Sequence, residues 1–224
     1  MRSAWKADSI CIIDFDVKHP LQKKEEAETV NAIEAICTRR STRNFKPDAV
    51  EQEKLDAILE AAGQAPSGGN NQTNHFLVIR SREVLDKLIE LTASAFSEME
   101  ITEDTYASLK HSIAASKKGG YVFCYNAPLL IVVANRRDYG NNMADCACAI
   151  ENMMIAANAL DLGSCWINQL RWLNEETRLV EYLSALGMKE DERVYGAVAI
   201  GYPANGLPNR SLMPQKGNEI TYID

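Results

Sequence analysis

Apolar residues change period along the chain, and each change marks an element. Residues 10–17 read as a short strand-like run, and 22–28 as a charged, helix-prone stretch. From Val30 the spacing turns helical: Val30, Ile33, Ile36 and Cys37 share one face, with an end expected near 39–41. Asp48 followed by Glu51, after Pro47, has the form of a capping box, and Leu55, Ile58, Leu59 and Ala62 then line one helical face up to Ala65-Pro66. Residues 75–80 predict a strand. Ser81 caps a helix running to about 98, with Val84, Leu85, Leu88, Ile89 and Leu91 as its apolar positions. Residues 99–126 are polar and broken by Lys117-Lys118-Gly119-Gly120, the pattern of a mobile excursion or lid. After Pro128, residues 129–134 are continuously apolar, as in a central strand covered on both faces. The longest helix is expected over 142–162, apolar or small nearly all round, which places it centrally or at a subunit interface. Residues 164–168 predict a short strand. Asn174 caps a helix through 186 that Gly187 stops, 194–200 predict a strand, and 220–223 a last edge strand.

Helices and strands thus mix without a regular βαβ repeat. The expected fold is α+β, a mixed sheet flanked by helices. Residues 1–28 form an N-terminal extension and 29–224 one domain, with no internal repeat or linker between them.

Composition narrows the function classes. The chain carries 24 Lys+Arg against 31 Asp+Glu, a net charge of −7. That balance argues against nucleic acid or an anionic membrane as partner. No apolar run approaches the roughly 20 residues of a membrane helix. The apolar residues 10–13 run straight into Asp14 and Asp16, unlike a signal peptide, so a cytoplasmic protein is expected. Cys11, Cys37, Cys124, Cys146, Cys148 and Cys165 form no C-x-x-C, and His19, His75 and His111 are scattered. Neither a zinc nor an iron–sulfur site is expected, and the cysteines read as reduced thiols.

Two constellations stand out from this background. The run Arg39-Arg40-Ser41-Thr42-Arg43 concentrates three guanidiniums and two hydroxyls in an acidic protein. It reads either as a helix end, with arginines complementing the C-terminal dipole, or as a grip on one small anion such as a phosphate. Residues 66–74, from Pro66 to Asn74, are turn formers and amide or hydroxyl side chains. The glycine fingerprints of dinucleotide and P-loop sites are absent, and no nucleophile has an identifiable base. An anion site without an acid/base machine suits a cofactor that itself carries the chemistry.

Residues 39–45 (Arg-Arg-Ser-Thr-Arg-Asn-Phe) followed by 65–72 (Ala-Pro-Ser-Gly-Gly-Asn-Asn-Gln) resemble the FMN-dependent nitroreductase family. Asn126-Ala127-Pro128 before the apolar strand, the small-residue helix from Asp145 to Leu162, Leu162-Gly163-Ser164-Cys165-Trp166-Ile167 and Ala199-Ile200-Gly201-Tyr202-Pro203 follow in family order. The resemblance covers about residues 30–214.

It implies an intertwined homodimer with FMN at the subunit interface. NAD(P)H would give hydride to flavin N5, and a small-molecule acceptor such as a nitroaromatic or quinone would take it in a second, ping-pong step. Reductive dehalogenation, flavin destruction, or flavin binding without catalysis are the alternatives on the same fold. Arg39, Arg40, Ser41 and Arg43 match the phosphate and ribityl contacts, with Arg210 closing on the phosphate. Pro66, Ser67 and Gly68 match the segment that reaches the flavin from the other subunit, and Asn70 and Gln72 the polar positions at the ring edge. Trp166, Ile167, Asn168 and Gln169 match the segment along the ring, a backbone N–H of Asn168 or Gln169 serving N5. Glu98, Glu103, Tyr106, Lys117 and Lys118 read as a solvated face or as lid residues. The chain departs from many relatives at Thr73-Asn74, where they have Pro-Trp, which implies a more polar ring pocket. It departs from some at Asn168-Gln169, where they have Glu-Gly. Cys11 alone provides no N-terminal iron–sulfur module.

Overall fold

The structure, a computed structural model, describes residues 30–206, 211–212 and 217–223. The stretches expected at 10–17 and 22–28, and Arg210, lie outside the described residues. Strands β1 (His75–Ile79), β2 (Leu129–Arg136), β3 (Gly163–Ile167) and β4 (Glu192–Gly201) pair in the order β1-β2-β4-β3. All three ladders are antiparallel, and the parallel element is the isolated bridge between Ser41 and Ser164. Helices α1 (Ala32–Thr38), α2 (Gln52–Gly63), α3 (Arg82–Glu98), α4 (Ala107–Lys118), α5 (Asn142–Ala159), α6 (Gln169–Trp172) and α7 (Thr177–Ala185) complete the α+β architecture.

Strand β2 explains the layering. Leu129, Ile131 and Val133 point to one face and pack with Leu55, Ile58, Ile150 and Met153 of α2 and α5. Leu130, Val132 and Ala134 point to the other and pack with Leu85, Leu88, Phe96, Ile113 and Leu179 of α3, α4 and α7. Burying each large side chain contributes about 1.5–3 kcal/mol. Cover on both faces is why the run is continuously apolar, although such runs are more usual in parallel sheets. The β2–β4 register shifts between Val133 and Ala134, leaving Tyr195 as the extra residue of a bulge. A Cβ on Gly196, beside that bulge, would stand 2.6 Å from Ile150 Cδ1 and 3.3 Å from the Trp166 indole nitrogen.

Several local expectations give way to tertiary contacts. α1 buries Ala35 and Thr38, while Ile33 and Ile36, on the expected apolar face, are 70% and 49% exposed. The cause is a polar dock: Asn158 Nδ2 donates to Ala35 O at 2.9 Å and to Thr38 Oγ1 at 3.0 Å. No capping box forms at α2. Glu51 is the N-cap without a side-chain cap bond, and its carboxylate accepts from Tyr202 OH at 2.7 Å. The 99–126 stretch contains α4, whose Ile113 is buried at 1% exposure against the core. Asn174 caps no helix; its side chain exchanges bonds of 2.8 and 3.0 Å with the Val194 backbone, the expected helix begins later as α7 with Glu176 as its N-cap, and α6 precedes it where no helix was expected. Residues 220–223 form no strand, with Ile220 71% and Ile223 94% exposed. No described helix is long and apolar enough to cross a membrane.

Candidate functional site: an arginine grip and an amide-rich loop

α1 ends at Thr38, and Arg39, its C-cap, turns the chain extended (φ −54°, ψ 135°). The next residues lie along the ends of β3 and β4. Thr42 N–H donates to Ser164 O at 2.8 Å, Lys46 N–H to Tyr202 O at 2.8 Å, and Ala204 N–H to Asn44 O at 3.0 Å. Gly163 permits this approach, since a Cβ there would stand 2.5 Å from Thr42 Oγ1.

The arginines are thereby fixed in different states. Arg39 Nε is 3.4 Å from Glu151 Oε1. Arg40 Nη1 donates to Cys37 O at 3.2 Å and Arg39 O at 2.7 Å, satisfying carbonyls at the end of α1. Its Nη2 is buried with no hydrogen-bond partner among the described residues. Arg43 lies over the Tyr125 ring, 5.9 Å from the centroid. Ser41 and Arg43 are exposed. A buried donor left unmade costs about 1–3 kcal/mol, more when charged, so an anionic oxygen at Arg40 would relieve a standing penalty. Burial pushes the nearby Cys165 thiol up, against opposing pulls from Arg43 and Ser41, so it remains an S–H in the core at neutral pH.

Trp166 to Gln169 stand at the other end of β3. From Ser164 to Asn168 an extended strand spans on the order of 13 Å. Trp166 Nε1 donates to Asn168 Oδ1 at 2.8 Å, and Gln169 Nε2 donates to Tyr121 OH at 2.9 Å. Tyr121 OH also pairs with Ser112 Oγ at 2.8 Å. Burial raises the Tyr121 hydroxyl pKa despite these bonds. Both amide side chains are therefore engaged, and Ile167 is in the core, so this segment offers a ligand mainly its backbone and the half-buried indole. Sequence reasoning missed Tyr121 and Ser112, since nothing in the 112–121 spacing signals a bond to residue 169.

The amide-rich loop is built differently. A single turn, Gly68–Asn70, follows Pro66 and Ser67. Gly69, Asn70 and Gln72 are left-handed, at φ 61°, 55° and 49°. Gln72 N–H donates to Ser67 Oγ at 3.0 Å, and Gln72 Nε2 to Asn70 Oδ1 at 3.2 Å. Asn74 turns inward: it donates to Asp145 O at 3.1 Å and accepts from Asn135 Nδ2 at 2.9 Å and Cys146 Sγ at 3.2 Å. Burial pushes the Cys146 thiol up to about 12, which keeps it a donor.

Arg39, Arg40, Ser41 and Arg43 thus share a strand edge with Trp166–Gln169, and the loop stands elsewhere. The loop bonds the first turn of α5 through Asp145, whereas α1 bonds its last turn through Asn158. Those anchors are about 20 Å apart along the helix. A groove of about 650 Å³ lined by Phe45, Val50, Arg80, Arg82, Asn126 and Pro128, among others, contains none of the expected site residues.

The protein is of the α+β class, with an arginine-rich segment laid along the edge strand of its sheet. More narrowly, the nitroreductase family matches residues 36–202, and the chain belongs to that family. It is similar to a nitroreductase with bound FMN from Bacteroides fragilis, at 36% identity over 88% of this chain and all of the other, with a TM-score of 0.74. A nitroreductase with bound FMN from Desulfitobacterium hafniense is 27% identical over 86% of this chain and 98% of its own, with a TM-score of 0.71. A protein of Archaeoglobus fulgidus that bears the name NADH dehydrogenase/NAD(P)H nitroreductase is 33% identical over 76% of this chain and 84% of its own.

Proposed function

We propose that this chain is an FMN-dependent oxidoreductase. It takes hydride from NAD(P)H and passes it, in ping-pong fashion, to a small electron-poor acceptor such as a nitroaromatic or quinone. It works as a homodimer with FMN at the subunit interface. Ser41 and Arg43 carry the reading: both are exposed in the segment that bridges to Ser164, and with Arg40, whose Nη2 has no partner among the described residues, they supply donors that suit an FMN phosphate. The two similar proteins with bound FMN and the NAD(P)H in the archaeal protein's name support the same choice.

FMN, when bound, supplies hydride acceptance and donation; the chain supplies binding and orientation. Arg39, Arg40, Ser41 and Arg43 would hold the phosphate. A backbone N–H of Asn168 or Gln169 would serve flavin N5, and Trp166 would lie along the ring. Pro66, Ser67, Gly68, Asn70 and Gln72 come from the second subunit. The exposed Ile33 and Ile36 support an assembly that covers α1, and the distance between the loop's anchor and α1's favours a loop acting on the partner.

The test is reconstitution with FMN followed by anaerobic mixing with NADH or NADPH. The expected result is a yellow dimer whose bound flavin bleaches with at least one nicotinamide and reoxidises on adding a nitroaromatic or quinone. Failure to take up FMN would overturn the reading. Bound flavin that neither nicotinamide reduces would point to a non-catalytic flavin protein.

A further inference from the structure

Gly68, the pivot of the amide-rich loop, is held by residues outside it. Its N–H faces the carboxylate of Asp145, 3.2 Å from each oxygen. That carboxylate is 4% exposed and also accepts from Tyr139 OH at 2.9 Å. The same hydroxyl lies 3.1 Å from Gly68 O, so Tyr139 can grip either side of the loop. The fit leaves no room: a Cβ on Gly68 would stand 2.0 Å from Asn141 Nδ2 and 2.6 Å from Tyr139 OH. Asn74 bonds the Asp145 carbonyl at 3.1 Å, fastening the loop's far end to the same residue.

Between these fastenings the backbone is not in its preferred state. Asn70 and Gln72 are left-handed without being glycine, a region that Asn enters at times and Gln rarely. The loop's shape therefore depends on its anchors.

We propose that Asp145, with Tyr139, is a positioning residue for the flavin site of the second copy of the chain: it holds Ser67–Gly68 at the angle from which that site is completed. The proposal rests on the FMN-dimer reading above. Its consequence is directional. A defect at Asp145 appears in the site that contains the neighbour's arginines, and the arginines of the altered subunit remain competent.

The experiment measures FMN affinity by fluorescence titration of Arg43→Ala, Asp145→Ala, Asp145→Asn and Tyr139→Phe homodimers. It adds mixed dimers of Arg43→Ala with Asp145→Ala, purified through two tags. Arg43→Ala and Asp145→Ala homodimers should each bind FMN about tenfold more weakly or worse. Asp145→Asn and Tyr139→Phe should show smaller losses. The mixed dimer should recover one site of wild-type affinity, because the arginines of its Asp145→Ala subunit meet an intact loop. A merely structural role for Asp145 would instead damage the subunit carrying the change, leaving both mixed-dimer sites weak; that result overturns the proposal. Wild-type affinity in Asp145→Ala beside weakened Arg43→Ala overturns the clasp alone. Unchanged affinity in Arg43→Ala overturns the flavin reading and the proposal with it, as does a monomeric wild-type protein that binds FMN. Should Asp145→Ala not fold, the mixed-dimer test uses Asp145→Asn and Tyr139→Phe.

Discussion

The two terminal nitrogens of Arg40 are held differently. Nη1 satisfies carbonyls at the end of α1, and Nη2 is buried without a partner among the described residues. The helix-end reading of residues 39–43 is thereby met by Arg40 Nη1, and the proposed anion grip falls to the groups that this bonding leaves over. Arg43, over Tyr125 and exposed, is the cleaner residue to remove. Arg43→Ala should lose about 1.5–3 kcal/mol of FMN binding, one charge-assisted contact, with the melting temperature little changed. Equilibrium titration beside a thermal melt checks both halves. Glu192 is a separate matter of stability. Burial alone would push its carboxyl up, but bonds from His75 Nδ1 at 2.7 Å and the Lys189 N–H at 2.9 Å outweigh burial and hold it below the ordinary carboxylate value. A depressed folded pKa contributes stability above the unfolded value, and that contribution disappears as pH falls through the folded one. Wild type should therefore lose stability more steeply than Glu192→Gln as pH drops below about 4.5. Denaturant titrations at stepped pH measure this; parallel curves would refute it.

At the scale of elements, periodicity located helices more reliably than it located their faces. The apolar stripe of α1 was real, yet Ala35 and Thr38 are the residues it buries, because Asn158 binds that side. Asn158→Ala would remove one bond from Ala35 O, which keeps the Arg39 N–H, and one from Thr38 Oγ1, which keeps Glu34 O, and should cost about 0.5–1.5 kcal/mol for each bond lost. Hydrogen exchange across 32–38 should accelerate, and FMN binding should weaken as Arg39–Arg43 loosen; an unchanged exchange rate would mean that α1 is held otherwise. β2 was legible because six successive side chains are buried on two faces, a signal no solvent-facing alternation dilutes. α4 was not legible. Its mean polarity resembles a lid, and Ile113 and Ser112 find their places only against α3 and Tyr121.

At the scale of the molecule, the described residues form a four-stranded sheet covered on both faces, with the arginine cluster at one edge and a loop fastened to the first turn of α5. The proposed dimer joins what one chain separates. It predicts that Ile33→Asp combined with Ile36→Asp, at positions 70% and 49% exposed in the single chain, yields a monomer that retains its secondary structure and loses FMN. Light scattering and flavin content read the outcome together. A double variant that remains a flavin-loaded dimer would place the interface elsewhere.

Sequence alone determined the α+β class, the central apolar strand, the arginine cluster, the amide-rich loop and the family, because each is written in contiguous residues whose chemistry does not depend on a neighbour. Tertiary structure decided which face of α1 is buried, that Glu51 serves Tyr202 instead of a cap, that Asn174 serves Val194, and that Asp145 and Tyr139 hold Gly68. The physical reason is the same in every case. A polar side chain has several possible partners of similar strength, and the one it takes is the one that packing brings within about 3 Å.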